Sequence, residues 1–345
     1  VMRTAILFAP TVSIKAAGRD AWLSFLILPI LFGITVVYVI TVLGMRFPGK
    51  NIVEYTEEIM GRWPGKILGF TYAFYIIYSN AIIVRELGEF LVTIFMPETP
   101  LIVFIAAVLI VTASAVRNGL EIISRLNELF LPLMFIMLFT ISIIVLGEAD
   151  FKRLLPVMAN GVKPVLAGST IPLDWISQVA FLAIFMPYVN DYKKCRSAGF
   201  KAVFTLCIIL TANVIISFAI FGQVSAFHSF PTYYLSFYIS VRGFFERMEA
   251  VIVMIWISTI VIKIAIWYYA AVLSTAQLLE LQDYRPIVLP LGVITAVLSI
   301  TNFNNYVEMV DYIANVDLLF SLTYNFFIPI ALLLIAVILN KGEKS

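Results

Sequence analysis

Apolar residues in this chain come in long runs broken by few charges, not in the strict alternation of a strand or the three-to-four spacing of a half-buried helix. The runs fall at Met2 to Pro10, Ala21 to Gly44, Lys66 to Phe95, Leu101 to Val116 and Leu129 to Gly147. They continue at Asp174 to Val189, Gly199 to Gly222, Glu249 to Leu281, Ile287 to Ile300 and Leu318 to Leu339. A segment apolar on every side is buried in lipid or among its own kind, and the longer runs match the ~20 residues a helix needs to cross a bilayer. The pattern predicts an all-α, polytopic membrane protein of ten segments. Val1 already sits inside an apolar run, so the first segment reads as truncated. No charged n-region or small-residue cleavage site suggests a signal peptide.

Composition agrees: 62% of the 345 residues are hydrophobic and 13% charged, with a mean hydropathy of +1.01. One integral domain over 1–345 is expected, with a truncated first repeat over 1–147 and a second over 174–339. A net charge of +2, scattered along the chain, gives no reason to expect nucleic acid as a partner. Cys195 and Cys207 lack the spacing of a metal or redox pair and read as reduced thiols. Basic residues distinguish the two sides. The loops after even-numbered segments and the C-terminus carry thirteen lysines and arginines, among them Arg46, Lys66, Arg117, Arg285, Lys341 and Lys344. The opposite loops carry seven, including Arg242 and Arg247, which places the C-terminus in the cytoplasm.

Two segments end in proline before they are long enough to cross. From Trp175 to Pro187 is 13 residues, a rise of about 20 Å against a core of roughly 30 Å. Pro187 removes an amide donor, so carbonyls near Ala183 and Ile184 are expected to lose their helical partners inside the membrane. Pro10 ends the stretch "RTAILFAP" in the first segment, five segments earlier. A matched pair of interrupted segments points to two inverted five-helix repeats, with helices 1 and 6 broken around a midplane site for a small solute. Ordinary proline kinks are the competing account.

The stretches "TAILFAP", "GRDAWLSFLI" and "RFPGKNIVEYTEEIMGRWPGKILG" resemble the spore-germination permease family, the B-type membrane subunits of nutrient germinant receptors, within the amino acid–polyamine–organocation superfamily. The resemblance extends through "LEIISRLNELFLPL", "FKRLLPVMANGVKPVLAGS" and "ERMEAVIVMIWISTIVIKIAIWYYAAV" and spans essentially the whole chain. It implies a leucine-transporter-like fold, location in the inner membrane of the endospore, a small nutrient such as an amino acid as ligand, and further receptor subunits as partners. Where relatives often carry a small residue this chain has Arg3, which either faces the ligand as a fixed cation or snorkels or pairs with an acid.

The expected ligand-binding residues are Arg3, Thr4, Ala5 and Ile6 in segment 1 and Ala183, Ile184, Phe185 and Met186 in segment 6. Tyr78, Thr259 and Lys263 complete the set. Lys263 is the sharpest of these, because a cation in the middle of segment 8 is costly unless it meets protein, water or a partner. In sodium-coupled members of the superfold helices 1 and 8 hold an ion, and by that resemblance an ammonium here could replace it. A proton-coupling group, a cap on broken helix 1 and simple pairing are the other readings. Thr259 lies one turn away on the same face. Tyr75 and Tyr78 are candidates for a pocket wall or for core. Arg85 and Glu89 have the spacing of an intrahelical pair, with an outer gate as the alternative. Phe185, Met186 and Tyr188 either close over a ligand or pack the core.

No phosphate-binding loop occurs in the sequence. His228 is the only histidine, so no histidine triad or multi-histidine metal site can be assembled, and it reads as a loop residue. The chain is therefore expected not to be an enzyme and to need no cofactor or metal. Glu308, Asp311 and Asp317 could bind a cation, with an outer, solvated vestibule the more economical account. Three functions remain: a receptor subunit that senses a nutrient, a proton-coupled amino acid transporter, and a water or ion channel through the same cavity.

Overall fold

A computed structural model describes residues 2–227, 230–240 and 248–342, which are helical with no strand among them. His228, Arg242, Arg247 and Lys344 lie outside the described residues, as do the side chains of Arg3 and Thr4. The chain opens with α1 (Met2–Ala17), α2 (Ile27–Arg46), the short α3 (Ile52–Met60) and α4 (Arg62–Ile94). Next come α5 (Leu101–Asn118) and α6 (Leu120–Val145), then a run made of α7 (Val162–Gly168), α8 (Thr170–Ser177) and α9 (Leu182–Phe185). After it follow α10 (Lys194–Phe221), α11 (Pro231–Ser240) and α12 (Met248–Leu278). The chain closes with α13 (Val288–Thr301), α14 (Tyr306–Asn315), α15 (Asp317–Leu322) and α16 (Ile328–Ile338).

Among the described residues eight helical runs are long and apolar enough to cross a membrane. The 16-residue α1 and the 14-residue α13 complete the ten segments read from the sequence. All-helical construction is what lipid demands, since backbone polar groups find no partner there except within the segment. α13 and α14 meet at a bend of 100°. The core is continuous through α1, α4, α8, α10 and α12, with Trp256, Tyr75, Tyr268 and Phe90 among its fully buried side chains.

Both proline expectations need correction. α1 runs through Pro10 without interruption. Pro10 cannot donate to the carbonyl of Ile6, four residues earlier, and that carbonyl instead accepts the Thr232 hydroxyl at 2.6 Å. Segment 6 is long enough to cross, Val162 to Tyr188 being a 27-residue run, about 40 Å at ~1.5 Å per residue, and its interruption does not fall at Pro187. Pro187 sits at its end, in the 3₁₀ turn Met186–Tyr188, and Leu182–Phe185 is α-helical. The departure from α geometry inside this run comes one turn earlier, where Gln178–Phe181 tightens to 3₁₀.

The basic end is closed by local chemistry that the "RFPGKNIVEYTEEIMGRWPGKILG" stretch encodes. Asn51 caps α3, its Oδ1 accepting the amides of Val53 and Glu54 while Glu54 accepts the Asn51 amide. The Asn51 side-chain amide donates to Gln277 Oε1 at 2.5 Å, tying α3 to the end of α12. Gly61, at φ +88°, turns the chain into α4. Lysine and arginine side chains then occupy carbonyls that helix ends leave open. Arg46 donates to Lys341 O and Ala336 O, and Lys341 Nζ donates to Glu58 O and Ile59 O, both at 2.9 Å. Lys66 donates to Glu280 at 2.5 Å, which holds the Glu280 carboxyl below the ordinary carboxylate value.

α3 folds back against α4 so closely that a Cβ at Gly65 would stand 2.3 Å from Glu57 Cα and 2.6 Å from its amide nitrogen. Backbone cannot step aside as a side-chain tip can. Gly65→Ala is expected to destabilise the purified protein by about 1–3 kcal/mol, read as a lowered midpoint in thermal unfolding. Gly49→Ala, with open space around it, is the comparison for a positive-φ glycine without the clash.

Candidate functional site

Midway through the bundle, α4, α8, α12 and α15 enclose a small cavity. Its charged and polar walls are Glu86 from α4, Asp174 from α8, Gln178 from the tightened turn, Lys263 from α12, and Asp317 and Ser321 from α15. Tyr75, Trp175 and Trp267 supply aromatic surface, and Ile313 of α14 closes one side. The space amounts to about 30 Å³, room for one or two water molecules. Glu86, Asp174 and Lys263 are 7%, 1% and 4% exposed. Such groups survive in a membrane interior only when they face protein or water and each other, and Lys263 lines the same cavity as all three carboxyl groups.

A hydrogen-bonded frame holds the walls. Asn325 donates to Tyr75 Oη at 2.7 Å and to Ser177 Oγ at 2.9 Å, joining three of the enclosing runs through one amide. Ser177 in turn donates to the carbonyl of Asp174 at 2.6 Å. Asn325 sits in a π-helical turn, Thr323–Phe327, between α15 and α16; such turns widen the helix locally and recur at functional sites. Tyr75 stacks on Tyr324 at 4.6 Å, and Trp267 packs on Phe181 at 3.8 Å. Within this frame Asp174 Oδ1, Asp317 Oδ1 and Gln178 Oε1 are buried and accept no hydrogen bond. Three acceptors without a donor leave the cavity suited to a group that brings N–H or O–H with it.

The sequence-derived candidates divide sharply against this geometry. Lys263 lines the cavity. Thr259 does not: it is buried one turn away and donates to the Trp256 carbonyl of its own helix at 2.7 Å. Tyr78 turns from the cavity toward α14 and α15, packing on Tyr312 and Phe320, and Tyr75 takes the place expected of it. Ala5 and Ile6 are fully buried outside the cavity; the Ile6 carbonyl is committed to Thr232. Ala183 and Ile184 are buried core, Phe185 stacks toward Tyr269, and the Met186 sulfur fills the space beside Gly44 of α2. These four residues fall below the tightened turn because the run begins at Val162, not near Asp174, which shifts its middle toward Trp175.

Arg85 does form its pair with Glu89, at 2.7 Å, and also donates to the carbonyls of Ser299 and Ile300, where α13 ends. Of the three acids read as a vestibule, Glu308 and Asp311 are exposed, whereas Asp317 points into the cavity. Glu86, Asp174 and Asp317 were absent from the expected site. An acid inside an apolar run is the signal that exposes such residues, and misplaced segment boundaries hid it for Asp174 and Asp317 by putting both at segment ends.

Eight helical runs long and apolar enough to cross a membrane, with a charged cavity buried among them, define an integral membrane protein with a leucine-transporter-like fold. The crystal structure of MhsT in complex with L-phenylalanine matches the fold with a TM-score of 0.65, covering 96% of this chain and 95% of that one at 14% identity. Residues 2–307 match the Spore_permease family, described as spore germination protein, and the chain belongs to that family. It is 30% identical to spore germination protein KB of Bacillus subtilis (strain 168) over 337 residues, covering 95% of this chain and 90% of that protein. It is also 27% identical to spore germination protein YndE of the same organism, covering 97% and 92% of the two chains. Spore germination protein XB of Bacillus anthracis is 25% identical, covering 95% and 91%.

Removing Lys263 leaves three carboxylates facing one another without a cation. Lys263→Met is expected to cost about 3–5 kcal/mol, and Asp174→Asn in the same chain to recover part of that loss. Thermal unfolding of the two variants beside the parent decides the matter: if the double variant melts no higher than Lys263→Met, the charges do not act on one another.

Proposed function

We propose that this chain is the permease-like subunit of a spore germinant receptor, binding a small nutrient of the amino acid class at the cavity and signalling by a change of conformation. The observation that carries this reading is the meeting of Lys263 with Glu86, Asp174 and Asp317 around one small buried cavity. A zwitterion presents both charges, so its ammonium meets the unpartnered oxygens of Asp174 and Asp317 and its carboxylate meets Lys263. Trp267 and Ile83 offer apolar surface to a short side chain.

The cavity as it stands is too small for an amino acid. Binding therefore goes with an opening, and a ligand that fits only the opened form shifts the population toward it. That coupling is what a receptor subunit needs: the movement of helices around the cavity becomes the signal to partner subunits. Family membership supports the location in the inner membrane of the endospore. The basic residues gathered at the α3 and C-terminal end support a cytoplasmic C-terminus. On this reading the chain binds and signals and is not an enzyme.

A second reading rests on Lys263 itself. A lysine bordered by three acids inside the membrane is an arrangement able to relay protons, and proton-coupled amino acid uptake would use it.

The full-length protein in proteoliposomes, offered radiolabelled amino acids with and without a pH gradient, separates the two. Saturable binding without accumulation is the expected result, with affinity reduced about tenfold or more in Asp317→Asn, equivalent to ~1.4 kcal/mol from one lost charge-assisted contact. Accumulation driven by the gradient would establish the transporter instead. Absence of saturable binding to any amino acid would overturn both.

A further inference from the structure

At the basic end of the bundle most cations have structural duties. Arg46 and Lys341 cap carbonyls, Lys66 pairs with Glu280, and Lys50 pairs with Glu58. Arg196 bonds Thr41 and lies over the Tyr38 ring. Arg117, in the last turn of α5, and Arg285, just ahead of α13, differ. Both are exposed, and among the described residues neither makes an ion pair. Of the acids close to them in sequence, Asp283 accepts the Arg285 backbone amide at 3.0 Å, and Glu121 pairs with Arg125 at 2.7 Å.

The two arginines share one groove of about 590 Å³ between α5 and α13. Tyr284 fixes their relation, its hydroxyl donating to Val116 O at 3.3 Å, so the residue before Arg285 is tethered one residue before Arg117. Ser114 and Asn118 add polar atoms between them. Away from the helix ends the groove wall turns apolar, with Ile110 and Leu289 lining it at 71% and 57% exposure. Both guanidiniums thus lie at the level where spans end, and the apolar wall extends from them into the membrane.

We propose that this groove binds an anionic phospholipid, its headgroup phosphate held between Arg117 and Arg285 and an acyl chain lying along Ile110 and Leu289. A guanidinium fork matches phosphate oxygens in pairs. The basic end faces the leaflet richest in anionic lipid, where each added lysine or arginine contributes ~1 kcal/mol to lipid attraction. The apolar wall distinguishes a lipid from free phosphate, which has no use for Ile110 or Leu289. α5 and α13 both pack on α4, which bears Glu86, so an occupied groove braces the helices beside the cavity.

The test uses the full-length protein in detergent, supplied with phosphatidylglycerol, phosphatidylcholine or inorganic phosphate, and followed by native mass spectrometry and thermal unfolding. Phosphatidylglycerol is expected to stay bound and raise the melting temperature, with phosphatidylcholine and inorganic phosphate doing neither. Each arginine converted to glutamine should weaken retention about fivefold, the factor for ~1 kcal/mol per charge, and Arg117→Gln with Arg285→Gln should abolish it. Arg117→Lys with Arg285→Lys should keep most of the charge-dependent part, which separates loss of binding from loss of fold. Retention unchanged in the double glutamine variant would overturn the proposal, as would an equal effect from inorganic phosphate alone.

Discussion

A buried ammonium in a membrane helix governs the arrangement of everything near it. Lipid offers Lys263 neither water nor counter-charge, so the structure brings Glu86, Asp174 and Asp317 to it from three other helical runs. Those carboxylates are intolerable there without the cation, and the cation without them. The Ser177–Asn325–Tyr75 frame then follows, because helices that must deliver charges to one point need fixed relative positions. The π turn at Thr323–Phe327 supplies the local widening that aims Asn325 inward.

The same scarcity of hydrogen-bond partners explains how the chain treats its irregular backbone. Pro10 deprives Ile6 of a donor, and Thr232 replaces it. α13 stops before its sharp turn into α14, and Arg85 takes up carbonyls at that end. Arg46 and Lys341 do so for α16 and α3. In each case a side chain distant in sequence provides what the helix cannot, so these helices are stable only as an assembly.

A chamber of about 30 Å³ with charges on its walls is a poor resting place for an amino acid and a good one for a few waters. A protein built to sense can be quiet in this state and respond when a ligand favours a wider one; a protein built to transport must also open on the far side. Either use would require this space to widen between Trp267, Tyr75 and the tightened turn at Gln178–Phe181. The hydrogen bonds of that 3₁₀ turn have poorer geometry than those of the α-helix on either side.

Much of this was legible in the sequence. Apolar run lengths determined the class and the ten segments, and the motif between α2 and α4 pointed to the family, because both depend on contacts between residues close along the chain. Lys263 was also legible, since its cost is set by the apolar run around it. Which acids meet it was not: Glu86, Asp174 and Asp317 come from helices far apart in sequence, and only their packing brings them together. The prolines misled for the same reason. Sequence shows that a donor is missing at Pro10 and Pro187, but whether the helix breaks depends on whether some remote hydroxyl, here that of Thr232, reaches the open carbonyl. Locally determined features could be read from the chain, while the charged chamber, a balance of desolvation and charge among four helices, was decided by tertiary structure alone.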